Sequence, residues 1–253
     1  FPVGGNNASC NVNSYAAPNV EIGPLSMTSQ PLTTAINMQR PNGSTPTVPS
    51  LTAAIDHASA WAKSHPTHKV AVVYATDGQP NGCGAMNTVP EAAKVALRGA
   101  LSTPPIPTYV LGVGPNLANL NTIADQGGTK TAFLVDTAGN AASQLSAALS
   151  SIRTGALSCT YVIPPAPKGQ TFQDNLVNID YTNGAGVLTK IGQTPPGPDG
   201  KPADCSTADG WQYSGDKTQI NLCGKTCSDV KADKGGKLQV RFGCPTMPGE
   251  PPT

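Results

Sequence analysis

The chain has 253 residues, enough for one large domain or two smaller ones. Only 12% of them are charged and the formal net charge is +1, with no run of Lys or Arg, which excludes the clustered basic surface of a nucleic-acid-binding protein. No apolar run reaches the ~18 residues of a membrane-spanning helix, and 27 Gly and 25 Pro beside few aromatics give a loop-rich, low-charge composition common in secreted proteins.

The opening FPVGGNNASC has no charged leader and no long apolar stretch, so it is not a signal peptide. It reads as a strand end running into a loop, and the chain is expected to be a fragment or a processed product. Thr28 to Gln39 carries Leu32, Ala35, Ile36 and Met38 at helical spacing. In TVPSLTAAIDHASAWAKSH, Thr47 is the expected N-cap and Pro49 lies in the first turn, and Leu51, Ala54, Ile55, Ala58 and Trp61 or Ala62 follow the helical period. HKVAVVYAT is continuously apolar, which predicts a strand buried on both faces as in a parallel sheet. VPEAAKVALRGAL (helix), IPTYVLGVG (strand), NLANLNTIADQGG (helix stopped by a Gly pair), TAFLVD (strand) and NAASQLSAALSSIRTGAL (amphipathic helix) repeat the cycle. The alternation predicts an α/β domain over 1–156 with a doubly wound, mostly parallel sheet, whose ligands bind at the carboxyl ends of strands.

Beyond Ala156 only short candidate strands follow: SCTYVIPPAP, NLVNIDYTN, GVLTKIGQ, GWQYSG, TQINLC and KLQVRFGC, separated by turns such as TPPGPDGKP. No helical period is visible. Residues 157–245 are therefore expected to be a small all-β, sandwich-like unit stapled by disulfides, and 246–253 a disordered tail. Five of the seven cysteines, Cys159, Cys205, Cys223, Cys227 and Cys244, fall in this part. Cys223 and Cys227 are separated by three residues, with no second short pair and no nearby His, which favours disulfides over zinc. Cys10 with Cys83, Cys159 with Cys244, and Cys205 with Cys223 or Cys227 are the candidate pairs; alternatively Cys10 or Cys83 pairs outside the chain. The odd count leaves one cysteine over.

Catalytic signatures are missing. There is no G-x-S-x-G, no Walker loop, and GVGPN lacks the rest of a dinucleotide fingerprint. His57 lies on a predicted helix. His65 and His68 sit in the loop entering the VAVVYAT strand, at the end opposite Asp77, and read as exposed loop residues. No enzyme is expected. What remains is Asp77, in a Thr-Asp-Gly turn where a buried strand emerges, with Thr45 and Thr47 in a Gly-Ser-Thr loop before a helix. A hydroxyl and a carboxylate from two loops on one sheet edge suit a hard cation, which takes oxygen ligands.

These segments, GSTPTVPSLTAAI and VVYATDGQP together with IPTYVLGVG and NLNTIADQGGTKTAFLVD, resemble the von Willebrand factor A family over about residues 1–155. TPTVPSLTAAIDHASAWA, ATDGQPNGC and LSCTYVIP further resemble secreted or lipid-anchored bacterial members of myxobacterial type, which carry a Cys-rich β tail. The resemblance implies a metal-ion-dependent adhesion site with Thr45 (Thr47 as the alternative) and Asp77 as ligands of Mg2+, or of Mn2+ or Ca2+. It also implies an extracellular or cell-surface binding module whose protein partner presents a carboxylate. The family's first motif, Asp-x-Ser-x-Ser, occurs nowhere in the chain. The domain is accordingly expected to lack its first strand and helix, leaving the metal site incomplete unless a missing N-terminal segment or another chain completes the sheet. A structural surface or assembly protein with no working metal site is the alternative.

Overall fold

The computed structural model describes residues 9–39, 43–66, 68–137, 139–156, 159–163, 171–197, 201–233 and 236–249. The chain falls into two compact units, Phe1–Ala156 and Leu157–Thr253. The segment FPVGG, read as a strand end, lies outside the described residues.

The first unit is α/β. Helix α1 (Leu25–Met38) begins behind Pro24, three residues earlier than the periodicity predicts, and holds Pro31 inside it. Helix α2 (Thr47–Ser64) takes Pro46 as its N-cap, so Thr47 is the first helical residue rather than the cap. Its Leu51, Ile55, Ala58 and Ala62 are buried in one stripe. Strand β1 (Val72–Thr76) follows, then α3 (Val89–Ala100), where the Thr88 hydroxyl accepts the Glu91 N–H and Pro90 occupies the first turn. Strand β2 (Thr108–Val113) leads through a 3-10 turn into α4 (Asn121–Gln126), which ends at Gly127. A Cβ on Gly127 would come within 2.8 Å of the Thr108 Cβ, so only glycine lets this helix end close onto β2. Strand β3 (Phe133–Val135) and helix α5 (Ala141–Ala156) complete the unit.

The three strands form a parallel sheet in the order β1-β2-β3, with Val72 opposite Thr108 and Leu111 opposite Phe133. Residues of α2, α3 and α4 pack with Val72, Tyr74 and Val110 into the main core. Ala148 of α5 packs with Leu111 and Val135 into a smaller one. Two sequence expectations are corrected here. The strand order runs 1-2-3 without reversal, so the described sheet is not doubly wound. Nor is β1 buried on both faces: Val72, Tyr74 and Thr76 are inside while Val73 and Ala75 are exposed, because among the described residues β1 has a strand partner on one side only and the α5 cluster draws its strand residues from β2 and β3.

The second unit has two three-stranded antiparallel sheets. Strands β4 (Thr160–Val162), β7 (Trp211–Tyr213) and β8 (Gln219–Leu222) pair in the order β4-β8-β7. Strands β5 (Val177–Thr182), β6 (Leu188–Ile191) and β9 (Lys237–Phe242) pair as β6-β5-β9. Val177, Ile179 and Ile191 from one sheet meet Trp211, Ile220 and Leu222 from the other in a common core. Each large side chain fully buried there contributes roughly 1.5–3 kcal/mol. The unit is not all-β, because α6 (Gly224–Ala232) follows β8. Its nine residues bury little besides Cys227, too few apolar positions to show a helical period.

The disulfides are Cys10–Cys83, Cys159–Cys227 and Cys205–Cys223. Cys244 is free and exposed, which overturns the Cys159–Cys244 pairing. Cys159 leads into β4 of one sheet, whereas Cys244 lies beyond β9 of the other. The tail expected to be disordered is tied down through residue 249: the Thr246 hydroxyl accepts the Val177 N–H, Met247 donates to Asn178 and Gly249 to the Gln193 carbonyl. Residues 250–253 lie outside the described set. Among the described residues no helix is long and apolar enough to cross a membrane.

Candidate functional site

At the carboxyl end of β1, Thr76 folds the chain back on itself. Its hydroxyl donates to the Gly78 carbonyl at 2.8 Å and accepts the Gly78 N–H at 3.2 Å. This turn places Asp77 at its apex, exposed, with no hydrogen bond or ion pair to its carboxylate among the described residues. The loop before α2 comes alongside: the Thr45 hydroxyl would lie 3.6 Å from a Cβ built on Gly78, the residue after Asp77.

Thr45 is 9% exposed and fixed by main chain as well as side chain. Its N–H donates to Asn81 Oδ1 at 3.0 Å, and its hydroxyl accepts Asn81 Nδ2 at 3.3 Å. The alternative ligand, Thr47, is fully buried and shares a 2.7 Å hydrogen bond with the Tyr74 hydroxyl, so its oxygen is spent inside the core. Burial pushes the Tyr74 pKa above its ordinary value. Of the two threonines, the geometry brings only Thr45 beside the Asp77 turn.

Two supports escape a reading of the sequence. Asn87 is buried; its amide donates to the carbonyls of Thr45 and Asn81, both at 2.8 Å, and its Oδ1 accepts the Val48 N–H at 2.9 Å. One side chain thus pins the Thr45 loop, the 77–83 loop and the start of α2 together. An Asn just ahead of a helix N-cap carries no sequence signal for that task beyond its fitness for capping and turns. The second support is Gly82, at φ +71° with its absent Cβ 2.6 Å from Ser44, which holds the two loops in contact. Beside it the Cys10–Cys83 bridge anchors the entry segment to the same loop. Gln79 reaches the Asn116 carbonyl at 3.1 Å and ties the site to the loop after β2.

The histidines take no part. His65 and His68 precede β1, at the opposite end of the strand, and His65 stacks on Trp61 with ring centroids 3.8 Å apart. His57 Nε2 lies 3.2 Å from Glu21. Among the described residues no group of three His, Cys, Asp or Glu could hold a metal ion. The second unit has a cleft of about 630 Å³ lined by Lys190, Asp209, Lys225 and Asp229 among others, but Lys225 already pairs with Asp229 at 3.2 Å and Asp209 at 3.8 Å. The donor set beside Asp77 is therefore one carboxylate and one hydroxyl, both oxygen, on a braced loop pair. No protein-family model, curated protein or solved structure matches the chain.

Proposed function

We propose that the first unit is an extracellular binding module of von Willebrand factor A type, in which Asp77 and Thr45 hold a divalent cation that engages an acidic group on a protein partner. The supporting observation is an exposed, unpaired carboxylate beside a rigidly held hydroxyl at the carboxyl end of a parallel strand. Mg2+ prefers oxygen donors and keeps several waters, so two side-chain oxygens fit it as part of a shell completed by water and the partner's carboxylate. The cation would supply electrostatic attraction, while Asp77 provides the fixed charge and Thr45 the orientation. Three disulfides are compatible with an oxidising location.

Titration of the chain with Mn2+, followed by paramagnetic broadening or calorimetry and competed by Mg2+, tests this reading. Binding weakens at least tenfold in Asp77→Ala and less in Thr45→Ala. Affinity unchanged in Asp77→Ala rejects the site. The alternative, an assembly protein with no working metal site, draws on the small donor set and on the edge of β1 that no strand pairs among the described residues.

A further inference from the structure

Strand β1 has a hydrogen-bonded neighbour on one side only, and among the described residues no strand pairs with its other side. Val72 donates its N–H inward to the Pro107 carbonyl at 2.9 Å. Along a parallel ladder, alternate residues turn their main-chain groups to opposite sides. Val73 and Ala75 therefore direct theirs to the open edge. Exposed edges are normally blunted by a charge, a proline or a bulge, and VVYAT has none of these. The Val73 side chain is also 44% exposed, on a sheet face that α5 leaves uncovered at β1.

The charges flanking the strand say which occupant fits. Lys69 lies four residues before Val73 and Asp77 four residues after it; both are exposed, and neither makes an ion pair among the described residues. An antiparallel copy of the same strand, related by a two-fold axis at Val73, sets Lys69 of each chain opposite Asp77 of the other. It also sets Val73 against Val73 and Ala71 against Ala75. A parallel copy in the same register instead sets Lys69 against Lys69 and Asp77 against Asp77. The two-fold falls on a residue whose N–H and C=O both point outward, as a hydrogen-bonded antiparallel pair requires.

We propose that the open edge of β1 is a self-complementary interface: two copies of this chain join β1 to β1 antiparallel about Val73, forming one sheet across the pair. The contact shares the Asp77 carboxylate with the proposed metal site but needs no cation, so an experiment in EDTA tests it apart from the reading of Asp77 as a metal ligand.

The experiment is sedimentation equilibrium in EDTA on a Cys244→Ser background, which removes dimers linked through the free thiol. Loading reaches on the order of 100 µM, as suits a small interface. The wild-type edge gives a reversible dimer. Val73→Lys and Lys69→Asp each weaken it at least tenfold, and the double variant Lys69→Asp/Asp77→Lys restores it. Because Lys69 lies outside the strand, its variant remains informative even if Val73→Lys does not fold. A monomer throughout the range, a dimer indifferent to Lys69→Asp, or a charge swap that fails to restore association overturns the proposal. So does a chain that stays monomeric and accepts only strands of unrelated sequence.

Discussion

Asp216 shows how a single side chain can set a response to acid. It caps the turn between β7 and β8, accepting from the hydroxyls of Ser214 and Thr218 and from the Thr218 N–H. These bonds favour its charged form and lower its pKa to about 2. A carboxylate whose folded-state pKa is lowered contributes stability that is complete above its unfolded value and disappears as pH falls through the folded one. The hairpin is thus expected to loosen between about pH 4 and pH 2, followed by NMR of the Trp211 indole. Asp216→Asn should flatten the response in that window. The same scale marks the limit of what a sequence tells about the site. Thr45 and Thr47 are two residues apart at the entry to α2, and both are candidate ligands on spacing alone. The choice between them depends on the Tyr74 hydroxyl, which arrives from a strand 27 residues later and takes Thr47 into the core. Asn87, which braces the loops, is equally hidden, because its work is done by burial and long-range hydrogen bonds.

Among the elements, those of the first unit were legible because each had a period and a stop. α2, α3, β2 and α5 lie where apolar spacing and flanking Pro or Gly put them. β1 departed from its pattern because continuous apolarity reports what a strand can bury, not whether a neighbour is present to bury it. α6 went unseen for the opposite reason: only Cys227 and Val230 pack into the core, too few for a helical period, and two disulfides add to its attachment. Cys227, within the helix, bonds to Cys159 ahead of β4, and Cys223, at the helix N-cap, bonds to Cys205. The first of these bridges spans 68 residues, and closing a loop of that length restricts the unfolded chain by up to about 4 kcal/mol. Replacing both Cys159 and Cys227 with Ser is expected to lower the stability of the second unit by roughly 2–4 kcal/mol, measured by urea unfolding at the Trp211 fluorescence. α6 should lose amide protection before β5 does, since β5 remains paired on both sides by β6 and β9.

At the scale of the whole molecule, the change near Ala156 from helix-and-strand alternation to short strands coincides with the boundary between compact units. That boundary was legible because it is a change of period. Among the cysteine pairs, Cys10–Cys83 was named from the sequence and Cys205–Cys223 was one of two alternatives, whereas the partner of Cys159 was missed, since it depends on which sheet each segment joins. Cys10–Cys83 lies wholly in the first unit, while Cys159–Cys227 and Cys205–Cys223 lie wholly in the second. The peptide backbone is therefore the sole covalent tie among these residues between one unit and the other. One cut by a protease near residue 157 is expected to yield two bands on a non-reducing gel, each still oxidised. A single band that splits only after reduction would contradict these pairings. Separating the two units thus takes one hydrolytic event and no reductant, and leaves the cross-links of each untouched.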